Sequence, residues 1–166
     1  MNFLKGRIKR EDWWKLPLSL ILCQLAGGVG SLFTRPAIAT WYRTLNKPTF
    51  SPPNWLFAPV WISLYFLMGI SLFLVWRREG EFPQVKRALT LFFIQLILNA
   101  SWSILFFGLR SPLLGFIEIV LLWLAILLTL KTFSRISTIG SILLWPYFGW
   151  VSFAAILNLS IWFLNR

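Results

Sequence analysis

The chain has 166 residues, 58% of them hydrophobic and only 13% charged, with a mean hydropathy of +0.73. Soluble domains run to about 45–50% apolar and about 25% charged, so this composition excludes a water-soluble globule and makes lipid the solvent. Histidine is absent and Cys23 is the single cysteine, which excludes an intrachain disulfide, a metal site of the usual N/S kind and any Ser-His-Asp or Cys-His centre.

Five apolar runs follow one another along the chain: Leu16–Thr34, Trp55–Trp76, Ala88–Leu109, Pro112–Leu130 and Ile139–Leu164. Crossing the hydrocarbon core as a helix takes roughly 20 residues. None of the runs alternates with period two, as barrel strands would. The predicted fold is an all-α integral membrane protein, a bundle of five transmembrane helices over residues 16–166, preceded by a basic amino-terminal arm over 1–15. Ala37-Ile38-Ala39 resembles a signal cleavage site, but the run before it is longer than the 7–15 residues usual for such signals. It is read as a retained first helix.

The net charge of +11 is distributed by side. Alternating from the amino terminus, one side carries Lys5, Arg7, Lys9, Arg10, Lys15, Arg77, Arg78, Lys86, Arg87, Lys131 and Arg135. The other carries Arg35, Arg43, Lys47, Arg110 and Arg166. Eleven against five places the amino terminus on the cytoplasmic side of a plasma or thylakoid-type membrane. The basic arm suits anionic lipid headgroups, and this placement argues against nucleic acid as a partner.

Four of the five runs carry a stripe of aromatic, amide and small residues at helical spacing. Run one offers Gln24, Gly28, Ser31 and Arg35. Run two offers Trp61, Tyr65, Met68 and Leu72, run three Gln95, Asn99, Trp102 and Phe106. Run five offers Tyr147, Trp150, Ala154, Asn158 and Ile161. Such stripes serve as helix-packing seams, and Trp13, Trp14, Trp76 and Trp162 suit the interfacial belt. The stripes also match the inventory of a ligand cavity, mostly apolar with a few placed polar groups. Gly27, Gly28 and Gly30 are read as helix contact points. Gly108 and Gly115 suit a homodimer contact or an intramolecular seam. Glu118, the sole carboxylate inside a run, is expected near the end of its helix and partly exposed; a proton or cation site and a pairing with Arg110 are its alternatives.

Between runs one and two lies WYRTLNKPTFSPPNWLFAPVW, residues 41–61. Its prolines restrict the residues before them to extended geometry and reduce the entropy of the open loop. A stiff loop bearing Trp41, Arg43, Lys47, Pro48, Phe50, Pro52 and Pro53 is predicted to act as a lid over a pocket. Arg43 and Lys47 would meet an acidic tail on an otherwise apolar ligand, or lipid headgroups.

WYRTLNKPTFSPPNWLFAPVWISLYFLMGISLFLVW resembles the signature of the TspO/MBR family, which includes translocator proteins and bacterial tryptophan-rich sensory proteins. The resemblance continues in LNASWSILFFGLRSP and LLWPYFGWVSFAAILNLSIWFLN and covers roughly residues 17–165. It implies a five-helix bundle, often dimeric, with a pocket under the loop between helices one and two. It further implies binding of tetrapyrroles such as protoporphyrin IX and haem, of sterols, and of synthetic isoquinoline carboxamide and benzodiazepine ligands. No cofactor is required; a haem would bind as ligand without a histidine on its iron. By motif, Trp61, Asn99, Trp102, Trp150, Ala154, Leu157 and Asn158 are the expected pocket residues, and Tyr65, Gln95, Phe106 and Tyr147 join them from the stripes. Two departures weaken particular ligands. Leu114, with Phe116 nearby, stands where animal members carry an aromatic, and Trp162 replaces the tyrosine of their sterol pattern.

The leading expectation is a membrane receptor or carrier for tetrapyrroles, acting in their trafficking, disposal or stress sensing. A light-dependent porphyrin-degrading enzyme using Trp61 and Trp150 is the alternative. A sterol or lipid transporter, an ion channel and a scaffold are weaker readings.

Overall fold

The computed structural model describes residues 12–166, so most of the predicted basic arm lies outside the described residues. The elements are α1 (Lys15–Ala39), α2 (Trp41–Thr44), α3 (Asn54–Trp76), α4 (Val85–Ser103, prolonged by a π-helical turn over Ile104–Gly108), α5 (Pro112–Ser134), α6 (Thr138–Ile142) and α7 (Trp145–Leu164). Five spans are long and apolar enough to cross a membrane: α1, α3, α4 with its π turn, α5, and α6 with α7. A 23-residue helix such as α3 or α5 rises about 35 Å, against a hydrocarbon core of about 30 Å.

The five predicted runs are these five spans, with three local differences. The first helix continues through Pro36 to Ala39, ending where Thr40 Oγ1 donates to the Pro36 carbonyl at 2.8 Å. The third closes in a π turn, whose extra residue buries Phe106 and Phe107 together. The fifth breaks at Leu143 and Leu144, just before Pro146, whose missing N–H suits the first turn of a new helix. Between α4 and α5, Arg110 takes a left-handed φ of 53°. Ser111 then caps α5 by accepting from the Leu114 N–H at 3.3 Å, with Pro112 at the first helical position.

Packing forms two apolar clusters. One is centred on Met68, Leu72, Phe92, Leu122, Ile126 and Phe133. The other, toward the 40–53 loop, gathers Ala37, Tyr42, Phe106, Phe107, Leu157 and Ile161. Helix α1 buries only Ser19, Cys23, Gly30 and Ala37, while Ile21, Leu25, Val29 and Leu32 face outward, as a lipid-facing stripe would.

Close helix approach follows the small residues. A Cβ on Gly69 would come 2.9 Å from the Leu20 backbone, and one on Gly30 would come 2.9 Å from Ser103 Oγ. Gly108 abuts Phe33, and Gly115 abuts Phe106 and Asn158, so both glycines serve intramolecular seams. Glu118 departs from its expected partial exposure. It is 5% exposed, and neither carboxyl oxygen has a hydrogen-bond partner. The reason is its register: one turn after Gly115, it shares the inward face with Gly115, Ile119 and Leu122. The alternative pairing with Arg110 is absent; the ion pairs among the described residues are Lys15–Asp12 and Arg78–Glu81.

Candidate functional site

Helices α1 and α3 touch in their deep halves and part toward the 40–53 loop. Leu20 meets Gly69, Gly27 meets Tyr65, and Gln24 Nε2 donates to the Ile62 carbonyl at 3.1 Å. Beyond Gly27, α1 leans on α4 instead, through Gly30 against Ser103 and Phe33 against Gly108. The wedge left behind is a cavity of about 430 Å³, within the size range of small-molecule sites.

Its aromatic wall comes from three spans. Trp61 stacks on Tyr65, with centroids 5.5 Å apart and planes at 29°. Trp102 stacks on Phe106 at 5.2 Å and 17°, a pairing set by the π turn. Trp150 meets Phe57 edge-on at 6.1 Å. Ala154, Leu157 and Asn158 complete the α7 side.

Buried amides hold these rings. Tyr65 donates its hydroxyl hydrogen to Asn99 Oδ1. Asn99 Nδ2 donates to the Tyr147 hydroxyl at 2.9 Å, and Tyr147 in turn donates to Gln95 Oε1 at 2.9 Å. This chain links α3, α4 and α7 behind the cavity. Trp102 Nε1 donates to Asn158 Oδ1 at 3.1 Å, and Asn158 Nδ2 to the Pro112 carbonyl at 2.7 Å.

Nine predicted pocket residues line the cavity: Trp61, Tyr65, Asn99, Trp102, Phe106, Trp150, Ala154, Leu157 and Asn158. Gln95 and Tyr147 do not; both are fully buried and act through Asn99. Asn99, an expected pocket residue, has its side chain engaged between two phenols.

Of the predicted lid side chains, none of Trp41, Arg43, Lys47, Pro48, Phe50, Pro52 and Pro53 lines the cavity. Thr40 ends α1 and α2 turns the chain, so Trp41 packs edge-on against Phe106 at 5.5 Å. Phe50 lies against Phe153 at 6.3 Å, and Lys47 Nζ sits 4.6 Å over the Tyr42 ring. These side chains buttress the wall from outside. Tyr42, Asn54 and Phe57 are the residues that touch the space. Burial pushes the Tyr42 phenol above its usual range, with a Ser51 hydrogen bond opposing it, so the roof it contributes is neutral. The loop itself is clasped to the end of α7. The Asn46 N–H donates to Asn165 Oδ1, and Asn165 Nδ2 donates back to the Asn46 carbonyl, each at 2.9 Å.

The α1 stripe of Gln24, Gly28, Ser31 and Arg35 lies along the cavity in full, although sequence reasoning nominates no site residue from it. Asn54, Phe57, Ala58 and Ile62 share the helical face of Trp61 and are reached by the same spacing. Gly28 is no contact point: a Cβ there would meet nothing within 4 Å, and the position opens onto the wedge.

Comparison with known proteins identifies the family. Residues 19–163 match the TspO/MBR family. The chain is 46% identical over 151 residues to the tryptophan-rich protein TspO of Archaeoglobus fulgidus, covering 91% of this chain and 97% of that one. It is 47% identical over 150 residues to the protein of the same name in Chlorobaculum tepidum, covering 90% and 95%. The translocator protein of Bos taurus is 34% identical over 147 residues, covering 88% and 87%. With five apolar spans and a family match over most of its length, the chain belongs to the TspO/MBR family and is a multi-pass integral membrane protein.

Proposed function

We propose that the chain is a membrane receptor or carrier for flat apolar ligands, with tetrapyrroles such as protoporphyrin IX or haem as the leading class. The observation that carries this reading is the wedge between α1 and α3, walled by Trp61, Trp102 and Trp150. Aromatic faces present a broad, rigid apolar surface at low entropic cost. Behind them Asn99 and Asn158 are hydrogen-bonded to Tyr65, Tyr147, Trp102 and the Pro112 carbonyl, and Gln95 Oε1 accepts from Tyr147. Of these amide groups, Gln95 Nε2 alone is without a partner among the described residues. Most of the wall is set before a ligand arrives, so little ordering is needed on binding. The orientation with the amino terminus cytoplasmic, drawn from the charge bias, belongs to the same reading.

Ligand-dependent thermal stabilisation in lipid nanodiscs tests it. A ligand that binds only the folded protein at a hundred times its Kd adds about 2.7 kcal/mol. Protoporphyrin IX should therefore raise the unfolding temperature in a saturable way, and an absence of stabilisation at concentrations that saturate the lipid would refute the reading.

One observation favours light-dependent porphyrin breakdown as a second reading. Trp61 stacks on Tyr65 and meets Tyr147 edge-on at 6.3 Å, an unbroken series of oxidisable rings beside the cavity. Loss of porphyrin absorbance under illumination, faster than for free porphyrin and dependent on Trp61, would support it. Equal rates would sink it.

A further inference from the structure

We infer that Arg35 makes the open end of the α1–α3 wedge a subsite for a single anionic group, so that the pocket selects apolar molecules carrying a carboxylate or a phosphate at one edge. This rests on the ligand-binding reading above and specifies the chemistry of its ligand.

Among the described residues, Arg35 is the only charged side chain lining the cavity. It forms none of the ion pairs or hydrogen bonds found there. Among the described residues, no side-chain carboxylate lines the cavity beside it. Asp12 pairs with Lys15, Glu81 with Arg78, and Glu79 accepts from Trp76, all at the opposite end of the bundle. Glu118 is buried within α5. The other cations of this end are not competitors, since Lys47 lies over Tyr42, Arg166 over Phe163, and neither Arg43 nor Arg110 lines the space.

The geometry of the gap agrees. Its exposed rim is Gly28 and Arg35 on α1 facing Asn54, Ala58 and Ile62 on α3. Gly28 contributes no side chain, and the Gln24–Ile62 bond closes the deep end. An apolar body can lie in the wedge while its charged edge stays at the outer end, beside Arg35. Two hydroxyls on the same helix cannot replace the guanidinium, because Ser31 Oγ and Thr34 Oγ1 already donate to the carbonyls of Gly28 and Gly30 at 2.7 and 3.0 Å. The planar fork of an arginine fits carboxylate or phosphate oxygens two at a time, which an ammonium does not reproduce.

The test compares acid and ester forms of one molecule. Protoporphyrin IX and its dimethyl ester are titrated into phosphatidylcholine nanodiscs of the wild type, Arg35→Gln, Arg35→Lys and Lys47→Gln. The same is done with cis-parinaric acid and its methyl ester as an unrelated apolar pair. The wild type should prefer the acid by about tenfold, the scale of one charge-assisted contact. Arg35→Gln should erase the preference while leaving ester affinity intact, Arg35→Lys should keep part of it, and Lys47→Gln should keep it whole. Repeating the titrations with phosphatidylglycerol separates the two anion sources. Competition in the wild type but not in Arg35→Gln assigns the subsite to lipid phosphate, and no competition assigns it to the ligand carboxylate. Discrimination of the parinaric pair without porphyrin binding would retire the tetrapyrrole reading and keep the subsite. Equal affinity for acid and ester in the wild type, or a preference that survives Arg35→Gln, overturns it.

Discussion

Gly27 lies so close to Tyr65 that a Cβ at position 27 would sit 2.5 Å from the ring's Cε2. The ring is buried and held by its hydroxyl on Asn99, so it has little freedom to yield. Gly27→Ala should therefore lower stability by about 1–3 kcal/mol, the usual cost of overpacking. Gly28, one residue on, has open space around it. Gly28→Leu should leave unfolding within about 0.5 kcal/mol of wild type, as surface substitutions do, while filling the wedge and abolishing ligand stabilisation. Equal destabilisation by both substitutions would contradict the assigned faces of α1.

Asn99 stands between two buried phenols, accepting from Tyr65 and donating to Tyr147. Asn99→Leu should cost about 1–3 kcal/mol, because the buried Tyr65 hydroxyl loses its acceptor and Tyr147 keeps only Gln95. It should also weaken ligand binding, since Trp61 stacks on the ring that Asn99 fixes. Unfolding in detergent with a parallel binding titration reads both. Unchanged stability would mean the phenols find other partners.

Arg110 holds a left-handed backbone in the turn between α4 and α5. A glycine adopts that φ without the steric cost a side chain incurs. Arg110→Gly should leave the fold intact and raise stability by at most about 1 kcal/mol, because relief of left-handed strain of about 1–2 kcal/mol is partly offset by the roughly 0.5–1 kcal/mol that glycine costs through the freer unfolded chain. A loss of stability would show that the Arg110 side chain contributes more than its backbone strain removes.

Asn165 ties the 40–53 loop to α7 through its reciprocal bonds with Asn46. Asn165→Ala should accelerate amide hydrogen exchange in residues 45–53 while leaving the spans protected, because local opening tracks local contacts. If exchange in that loop is unchanged, its prolines and Phe50 packing hold it without the clasp.

The five spans were legible because their length and composition are dictated by the bilayer, a constraint that acts on every residue of a run. The inward stripes were legible for a related reason: in lipid, an amide or small residue at helical spacing is placed where it meets another helix. What escaped was geometry set by several elements at once. The π turn at Ile104–Gly108 has no marker in ILFFG, yet it decides where Phe106 and Phe107 point. The splaying of α1 from α3, which turns Gly28 and Arg35 toward a cavity, depends on contacts of Gly30 and Phe33 with α4. The packing of the loop is likewise set by tertiary contacts, since α2 turns Trp41 onto Phe106. Glu118 was misplaced because its exposure was judged from distance to the helix end rather than from the face it shares with Gly115.

The measurement that tests the central claim most directly is quenching of tryptophan fluorescence by protoporphyrin IX in nanodiscs, in the dark, for the wild type and Trp61→Phe. The account predicts saturable quenching in the wild type and a weaker apparent affinity in the variant, by roughly three- to tenfold for one altered stacking contact. Linear quenching that is the same in both proteins would mean that the porphyrin only partitions into lipid, and would contradict a binding site in the wedge.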